Sequence, residues 1–598
     1  MRYFILCLSF FLYLNVLSAQ SNSYTISFEN AVHHEAKVKA TFPNIDQDTL
    51  SVRMSRSSPG RYALHEFAKN VYGFRAFDSK GNPLEIVRPD PYQWKVYGHD
   101  GTVKIEYLLF ANRGGGTYSQ VDETHAHLNI PATFMFAPSL EERPIEVTFD
   151  TREDLNWKVV TQLHLVSGTT YTAPNLQYFM DSPTEISDFG RREFNVDGQT
   201  IQFVLHHNGT DEELDTYFEK VKKVVLAEKE VYGELPNFDY GRYTFLACYI
   251  PNASGDGMEH RNSTILTSTR SLADGGMEGN IGTVSHEFFH AWNVERIRPQ
   301  SLEPFDFEEA NMSGALWFAE GFTSYYTNLI LCRAGLMAPE EYIEGLAGTF
   351  NYVWNSPARQ FFNPIEMSYQ APFVDAATSV DPVNRENTFI SYYSYGSVLG
   401  LALDLALREK GLNLDGYMKL VWEIFGKTQI PYKIKDLQNT LGEYAGKKFA
   451  DTFFNSYIYK SEMPNYKNLF ETVGVLLKTN PEVAYFGAYA ALDGDGNGEI
   501  KSNPTIDSPA YIANLDKGDI ITAINGEPFP DGQQFDAYLL QFKPGDVLKI
   551  EFERFGKPKT TQVKLVSSPT YVISPSEKEG DELTKKQRDA RKDWLKLK

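Results

Sequence analysis

Between residues 23 and 196, apolar and polar side chains alternate in short runs such as Tyr24-Thr25-Ile26-Ser27-Phe28, Val103-Lys104-Ile105-Glu106-Tyr107 and Ile145-Glu146-Val147-Thr148-Phe149. A period of two sends successive side chains to opposite faces, so each run predicts a half-buried β-strand. Turn-forming stretches separate the runs: Ser58-Pro59-Gly60, Lys80-Gly81-Asn82-Pro83 and Arg113-Gly114-Gly115-Gly116. Together they predict an antiparallel β-sandwich over residues 23–196. The pattern changes near residue 210. Helical spacing over 211–232, an apolar run over 243–250 that suits a buried strand, and renewed helical spacing over 279–294 predict a mixed α+β domain at 197–330. Helical patterns dominate 331–465, notably 395–409, 414–425 and 434–444, around a loop-rich aromatic insertion at 361–387. They predict a helical subdomain that closes one side of a cleft.

The helix at 279–294 carries the segment His286-Glu287-Phe288-Phe289-His290. At about 100° of rotation per residue, His286 and His290 lie within roughly 40° of each other and can reach one metal ion. Ile281, Val284, Phe288, Ala291 and Trp292 fall on the opposite side of the wheel, the face that a core buries. The histidines are therefore expected to point away from packing. Two imidazoles and a carboxylate at this spacing predict a zinc site with its general base, Glu287. Zinc needs a third protein ligand and an open position for water. Downstream, Phe318, Phe322, Tyr325 and Leu329 form an apolar helical stripe, with Glu320, Thr323, Ser324 and Thr327 across from it. Glu320 is the candidate third ligand; an ordinary exposed helix glutamate is the competing reading.

With 598 residues the chain is too long for one core, and its 14% aromatic content suits extensive β-structure. A formal charge of −21 argues against a nucleic-acid partner. The dense cationic run, 585–598, is interrupted by Asp589 and Asp593 and reads as a solvated helix in a charged tail at 575–598. Arg2, an apolar run over 3–16 and Leu17-Ser18-Ala19 fit a secretory signal peptide at 1–19, so the protein is expected to be exported, periplasmic or secreted. No later stretch is long enough for a membrane helix, and no integral membrane segment is expected in the mature chain. Cys7 leaves with the signal; Cys248 and Cys332 are too few for a disulfide framework, and their pairing stays open.

Ser508-Pro509-Ala510-Tyr511-Ile512-Ala513-Asn514-Leu515, Lys517-Gly518-Asp519-Ile520-Ile521, Ile524-Asn525-Gly526 and Lys543-Pro544-Gly545-Asp546 make residues 470–568 resemble a PDZ domain of the bacterial protease type. Three further blocks are distinctive: Gly257-Met258-Glu259-His260-Arg261-Asn262-Ser263-Thr264, residues 286–299, which read HEFFHAWNVERIRP, and residues 316–326. With Tyr392-Tyr393-Ser394-Tyr395-Gly396, they make nearly the whole mature chain resemble the glycyl aminopeptidase family of zinc metallopeptidases. The 29 residues between His290 and Glu320 also look like this family's spacing. The resemblance implies a multidomain α+β protein: an N-terminal β-domain, a thermolysin-like catalytic domain, a helical subdomain and a PDZ domain. It further implies zinc on His286, His290 and Glu320, Glu287 as general base, and Tyr393 as oxyanion donor, with Tyr392 and Tyr395 as close competitors.

By the same resemblance Glu259, with Gly257 and Met258, stands where the substrate's α-ammonium is recognised. The lookalike Gly276-Met277-Glu278 competes, but the flanking His260-Arg261-Asn262 favours the first copy. The implied function is release of N-terminal residues, Gly or Ala by preference, from peptides with a free N-terminus. A zinc endopeptidase with the same metal centre is the alternative; a PDZ-mediated peptide-binding scaffold with vestigial catalysis is the rival of another class. Asn293 is a candidate to orient a ligand or to cap the helix end. His260 and Arg261 are candidates to brace their strand. Asp493-Gly494-Asp495-Gly496-Asn497-Gly498-Glu499-Ile500 starts like a calcium loop, but its twelfth position is Pro504 rather than a bidentate glutamate, so Ca2+ is the weaker cofactor reading. Phe486-Gly487-Ala488 is a candidate loop for a peptide carboxylate, unless the PDZ unit docks on the catalytic domain instead.

Overall fold

The computed structural model describes residues 21–374, 382–492, 497–529 and 535–597. The expected signal peptide and the Asp493-Gly494-Asp495-Gly496 start of the calcium-like loop lie outside them. The N-terminal domain is β-rich: a seven-stranded sheet shares one core with residues of smaller four- and three-stranded sheets. It departs from the predicted antiparallel sandwich at one place. Asn22–Asn30 pairs antiparallel with Glu35–Phe42 but parallel with Ile145–Asp150, because the latter strand returns by a long crossover rather than a hairpin. Tyr24, Ile26, Val38, Tyr107 and Phe149 fill the core from alternating positions.

The boundary expected at residue 196 falls earlier. Gly190–Val196 pairs with Gln199–His207 across a two-residue turn in which Asp197 (φ 53°) and Gly198 (φ 79°) both have positive φ. Asp-Gly suits such a hairpin turn, and it commits the strand to the next domain. The resulting five-stranded sheet continues through Arg242–Tyr249 and Ser263–Ser268, both added in parallel, to an antiparallel edge strand, Asp256–His260.

Asp211–Tyr232 is a helix started by a capping box of Thr210 and Glu213. The metal-site helix is shorter than predicted, Ile281–Phe289, with His290 at its C-cap and turns carrying the chain onward. Its buried face, Ile281, Val284 and Phe288, packs in the core as the wheel predicts. Gly321–Arg333 and Tyr392–Glu409 cross at close range: a Cβ on Gly396 would lie 1.8 Å from the Trp317 carbonyl oxygen and one on Gly321 would lie 2.3 Å from Gly396 Cα. Only glycine permits this approach, and it brings the tyrosines at the start of the second helix beside the histidines.

The C-terminal unit carries a sheet over 490–564, and its seat on the catalytic part is specific. Asn387 donates from Nδ2 to the Pro504 carbonyl (3.0 Å) and accepts from the Ile506 N–H (2.9 Å). The tail is not the solvated helix its charges suggest. Lys585–Leu595 is helical, yet Trp594 and Leu595 are buried in the catalytic core, and the Trp594 indole donates to Tyr325 Oη at 3.0 Å. Cys248 and Cys332 are buried and unpaired. Among the described residues no helix is long and apolar enough to cross a membrane.

Candidate metal centre

His286 and His290 project from one side of their helix toward Glu320, which sits at the break between the helices Leu316–Ala319 and Gly321–Arg333. Glu320 Oε2 lies 3.2 Å from His290 Nε2 and 3.6 Å from His286 Nε2, and Glu320 is 1% exposed. It is not an exposed helix glutamate. His290 is buried too, so only His286 of the pair keeps contact with solvent.

The outward partners fix the imidazoles. His290 Nδ1–H donates to the Asn293 carbonyl at 2.6 Å. Thr327 Oγ1 gives its own hydrogen to the Thr323 carbonyl, so it accepts from His286 Nδ1–H at 3.1 Å. Both rings are therefore turned with Nε2 facing the carboxylate, and in the neutral imidazole Nε2 is the nitrogen that carries the lone pair. Asn293 also secures Glu320's surroundings, since its Nδ2 donates to the Phe318 and Ala319 carbonyls. From the N-terminal domain, Tyr62 Oη donates to Glu320 Oε1 at 2.8 Å. Glu320 Oε2 has no donor partner. Two imidazole Nε2 atoms and a buried carboxylate oxygen converging on one point fit a cation, and two nitrogens with one oxygen suit a borderline ion such as zinc.

Charge points the same way. Burial disfavours the His290 imidazolium, but Glu320 and Glu259 outweigh it and push its pKa well above the usual range, so the cluster calls for positive charge. Burial, with Glu259 and Glu320 adding to it against His290, lifts the Glu287 carboxyl well above the ordinary carboxylate range. The Glu287 carboxylate rests over Gly257: a Cβ there would stand 2.1 Å from its Oε1. Gly257 belongs to the edge strand, and period two puts Glu259 on the same face and Met258 on the other. Glu259 is buried within 4.8 Å of Glu287 and His290, ligand atom to ligand atom. Met258, expected beside the substrate, instead packs against Gly60 and Gly116 of the N-terminal domain.

A cavity of about 490 Å³ opens here, lined among others by Arg61, Gly257, His286, Glu287, Tyr392 and Tyr393. The Tyr393 ring lies 5.8 Å from that of His286, with Tyr392 stacked behind it at 4.8 Å. Tyr395 faces the opposite way into the helical core. His260 Nδ1 meets Asp181 Oδ1 at 2.8 Å and the Arg261 guanidinium meets Asp239, so both brace the strand rather than face the cavity. The lookalike Gly276-Met277-Glu278 lies at a helix start, where Glu278 pairs with Lys220 at 2.9 Å.

Pattern reading missed Arg61 and Tyr62. Arg61 pairs with Asp256 and donates to the Gly257 carbonyl at 3.0 Å, fastening the edge strand. The turn Ser58-Pro59-Gly60 just before them was legible as a loop, but nothing local marks it as reaching an active site.

An aminopeptidase-like fold and this site together define the class of the protein, a peptidase. Family models agree along the chain: the peptidase M61 N-terminal domain matches residues 23–188, the M61 glycyl aminopeptidase domain 279–399 and a PDZ domain 496–565. The chain thus carries an M61-type N-terminal domain and an M61 glycyl aminopeptidase domain. Its structure is similar to that of an aminopeptidase N family protein from Idiomarina loihiensis, with a TM-score of 0.84 and 24% identity over 96% of this chain and 100% of that one. An M1 zinc metallopeptidase from Deinococcus radiodurans is a distant neighbour, with a TM-score of 0.44 and 12% identity over 75% of this chain and 95% of that one. A probable periplasmic serine endoprotease DegP-like from Rhizobium meliloti is 28% identical over 87 residues in the PDZ region, 14% of this chain and 17% of that protein's length.

Proposed function

We propose that this protein is an exported zinc aminopeptidase that removes N-terminal Gly or Ala from peptides. The observation that carries the reading is the convergence of His286 Nε2, His290 Nε2 and Glu320 Oε2 beside Glu287 in one cavity. Zinc bound by the three ligands supplies a Lewis acid that polarises a peptide carbonyl and acidifies water. Glu287, buried in the cavity wall beside the ligands, takes the proton of the attacking water and returns it to the departing amine. Tyr393, beside His286, donates to the oxygen on which negative charge develops. Glu259 receives the substrate's α-ammonium, a group that a buried carboxylate pairs with by charge-assisted hydrogen bonds. Tyr62, Asn293 and Thr327 hold the ligands in place.

The preference for Gly and Ala follows the family, and export follows the apolar leader at residues 1–19, which predicts a mature chain starting at Gln20. The PDZ groove, about 460 Å³ and bordered by Phe486, Gly487 and Ala488, is proposed to take a peptide. The test is hydrolysis of Gly-, Ala- and Leu-aminoacyl reporters beside their N-acetylated forms. Cleavage confined to the free amines, with Glu259→Gln raising KM, supports the reading. Equal cleavage of the acetylated forms means an endopeptidase and removes Glu259 from its role.

A further inference from the structure

Where the N-terminal domain meets the catalytic sheet lies a second cluster of ligating side chains that the peptidase chemistry does not use. His125 and Glu185 come from the paired N-terminal strands His125–Leu128 and Thr184–Ser187, His206 and Cys248 from the parallel catalytic strands Gln199–His207 and Arg242–Tyr249. His206 and Cys248 are register partners, so they project side by side from one face. One ligand atom each from His125, His206 and Cys248 lies within 4.8 Å of the others. All are buried; His206, the most exposed, is at 8%.

Two of these groups are aimed inward with nothing to meet. Thr124 Oγ1 gives its hydrogen to Asp122, so the His125 Nδ1–H is engaged outward by Thr124 (3.0 Å) and Asp122 (3.3 Å). That leaves His125 Nε2 as a buried nitrogen with no hydrogen-bond partner, the lone-pair nitrogen of the neutral ring. Glu185 Oε2 is held by His127 Nδ1 at 3.0 Å, while its Oε1 has no hydrogen-bond partner and stands 3.9 Å from His206 Nδ1. Buried polar atoms in a folded core are ordinarily satisfied, so the orphaned His125 Nε2 in this group and the orphaned Glu185 Oε1 beside His206 mark the place of a missing donor or cation. An imidazole whose far nitrogen is fixed by a carboxylate is the usual support of a metal-bound histidine.

The spacing suits zinc-type coordination. With zinc–sulfur and zinc–nitrogen bonds of about 2.3 and 2.05 Å, a tetrahedron has a sulfur–nitrogen edge of about 3.6 Å. Cys248 Sγ and His206 Nδ1 are 3.4 Å apart. We propose that His125, His206 and Cys248, with Glu185 as fourth ligand, form a structural metal site for a zinc-type divalent ion that ties the N-terminal β-domain to the catalytic sheet. One thiolate, two imidazoles and one carboxylate leave no open position for chemistry, so the site is closed and structural. Binding draws the ligand atoms inward from their spread of up to 4.8 Å and displaces the thiol proton. The domain thereby anchored is the one that sends Arg61 and Tyr62 into the catalytic cavity.

Cobalt(II) tests this on the full mature chain, because a cobalt–thiolate bond gives a near-ultraviolet charge-transfer band. The catalytic ligands, nitrogen and oxygen only, cannot produce it. Metal-free protein is titrated with Co2+ while folding is followed by circular dichroism. The band is expected in wild type and in Cys332→Ala, absent in Cys248→Ala, weakened in affinity by at least tenfold in His125→Gln, and bleached by added Zn2+. Mass spectrometry of metal content should give Cys248→Ala one equivalent fewer than wild type. Folded wild-type protein that shows no band at saturating Co2+ overturns the proposal even if Cys248→Ala fails to fold, as does a band that persists in Cys248→Ala.

Discussion

Tyr62 and Gly257 decide how the catalytic groups are held. The Tyr62 hydroxyl is a neutral donor to a buried carboxylate that faces two histidines, and Tyr62→Phe leaves Glu320 Oε1 without it. Supporting hydrogen bonds of this kind are worth about 10–100-fold in metal affinity or activity. Metal affinity of the Phe variant, read by competition with a chromogenic chelator, should fall by that factor with the fold intact. At Gly257 the missing side chain is the room Glu287 occupies, so Gly257→Ala pushes its carboxylate aside. A misplacement of about 1 Å costs about 100-fold in rate. That loss should appear in kcat of Gly257→Ala with metal content unchanged. His286, Glu287 and His290 were legible in the sequence because helix geometry makes a local spacing into a spatial one, whereas Glu320, on another element, was one of two open readings until the family resemblance singled it out. Tyr62 was not, since its partner lies 258 residues away and no local pattern encodes that contact.

Secondary-structure elements show the same division. Strands and helices with strong periodicity, such as Asp211–Tyr232 and Ile434–Ala445, lie where the pattern puts them. Element ends and partners depended on tertiary contacts: the metal-site helix stops at Phe289, where the His290 ring takes the Asn293 carbonyl, and Gly190–Val196 changes domain at an Asp-Gly turn. The crossing of Tyr392–Glu409 over Gly321–Arg333 rests on Gly396. Gly396→Ala would drive a methyl into the Trp317 backbone, and overpacking of this kind costs about 1–3 kcal/mol. Denaturant unfolding should show that loss, and activity should fall with it because Tyr393 rides on the displaced helix.

At the scale of the whole molecule, the chain's last helix closes the catalytic core. Its charges outnumber its apolar residues, which is why it reads as solvated; Trp594, buried against Tyr325 and Tyr342, anchors it together with Leu595. Trp594→Ala should cost about 3–5 kcal/mol of stability, measured by chemical denaturation, with the catalytic residues untouched. The N-terminal domain likewise completes the active site from outside, by Arg61 on the edge strand and Tyr62 on Glu320, so the peptidase unit and its β-domain act as one body. In the proposed mechanism Glu287 moves the proton beside a metal held by His286, His290 and Glu320. Its most direct test is to measure bound zinc and the hydrolysis rate of a Gly-aminoacyl reporter on the same preparations of wild type and Glu287→Gln. Equal zinc is expected in both, with a rate about 10²–10⁴-fold lower in the variant. A zinc-loaded Glu287→Gln enzyme that turns over at the wild-type rate would contradict it.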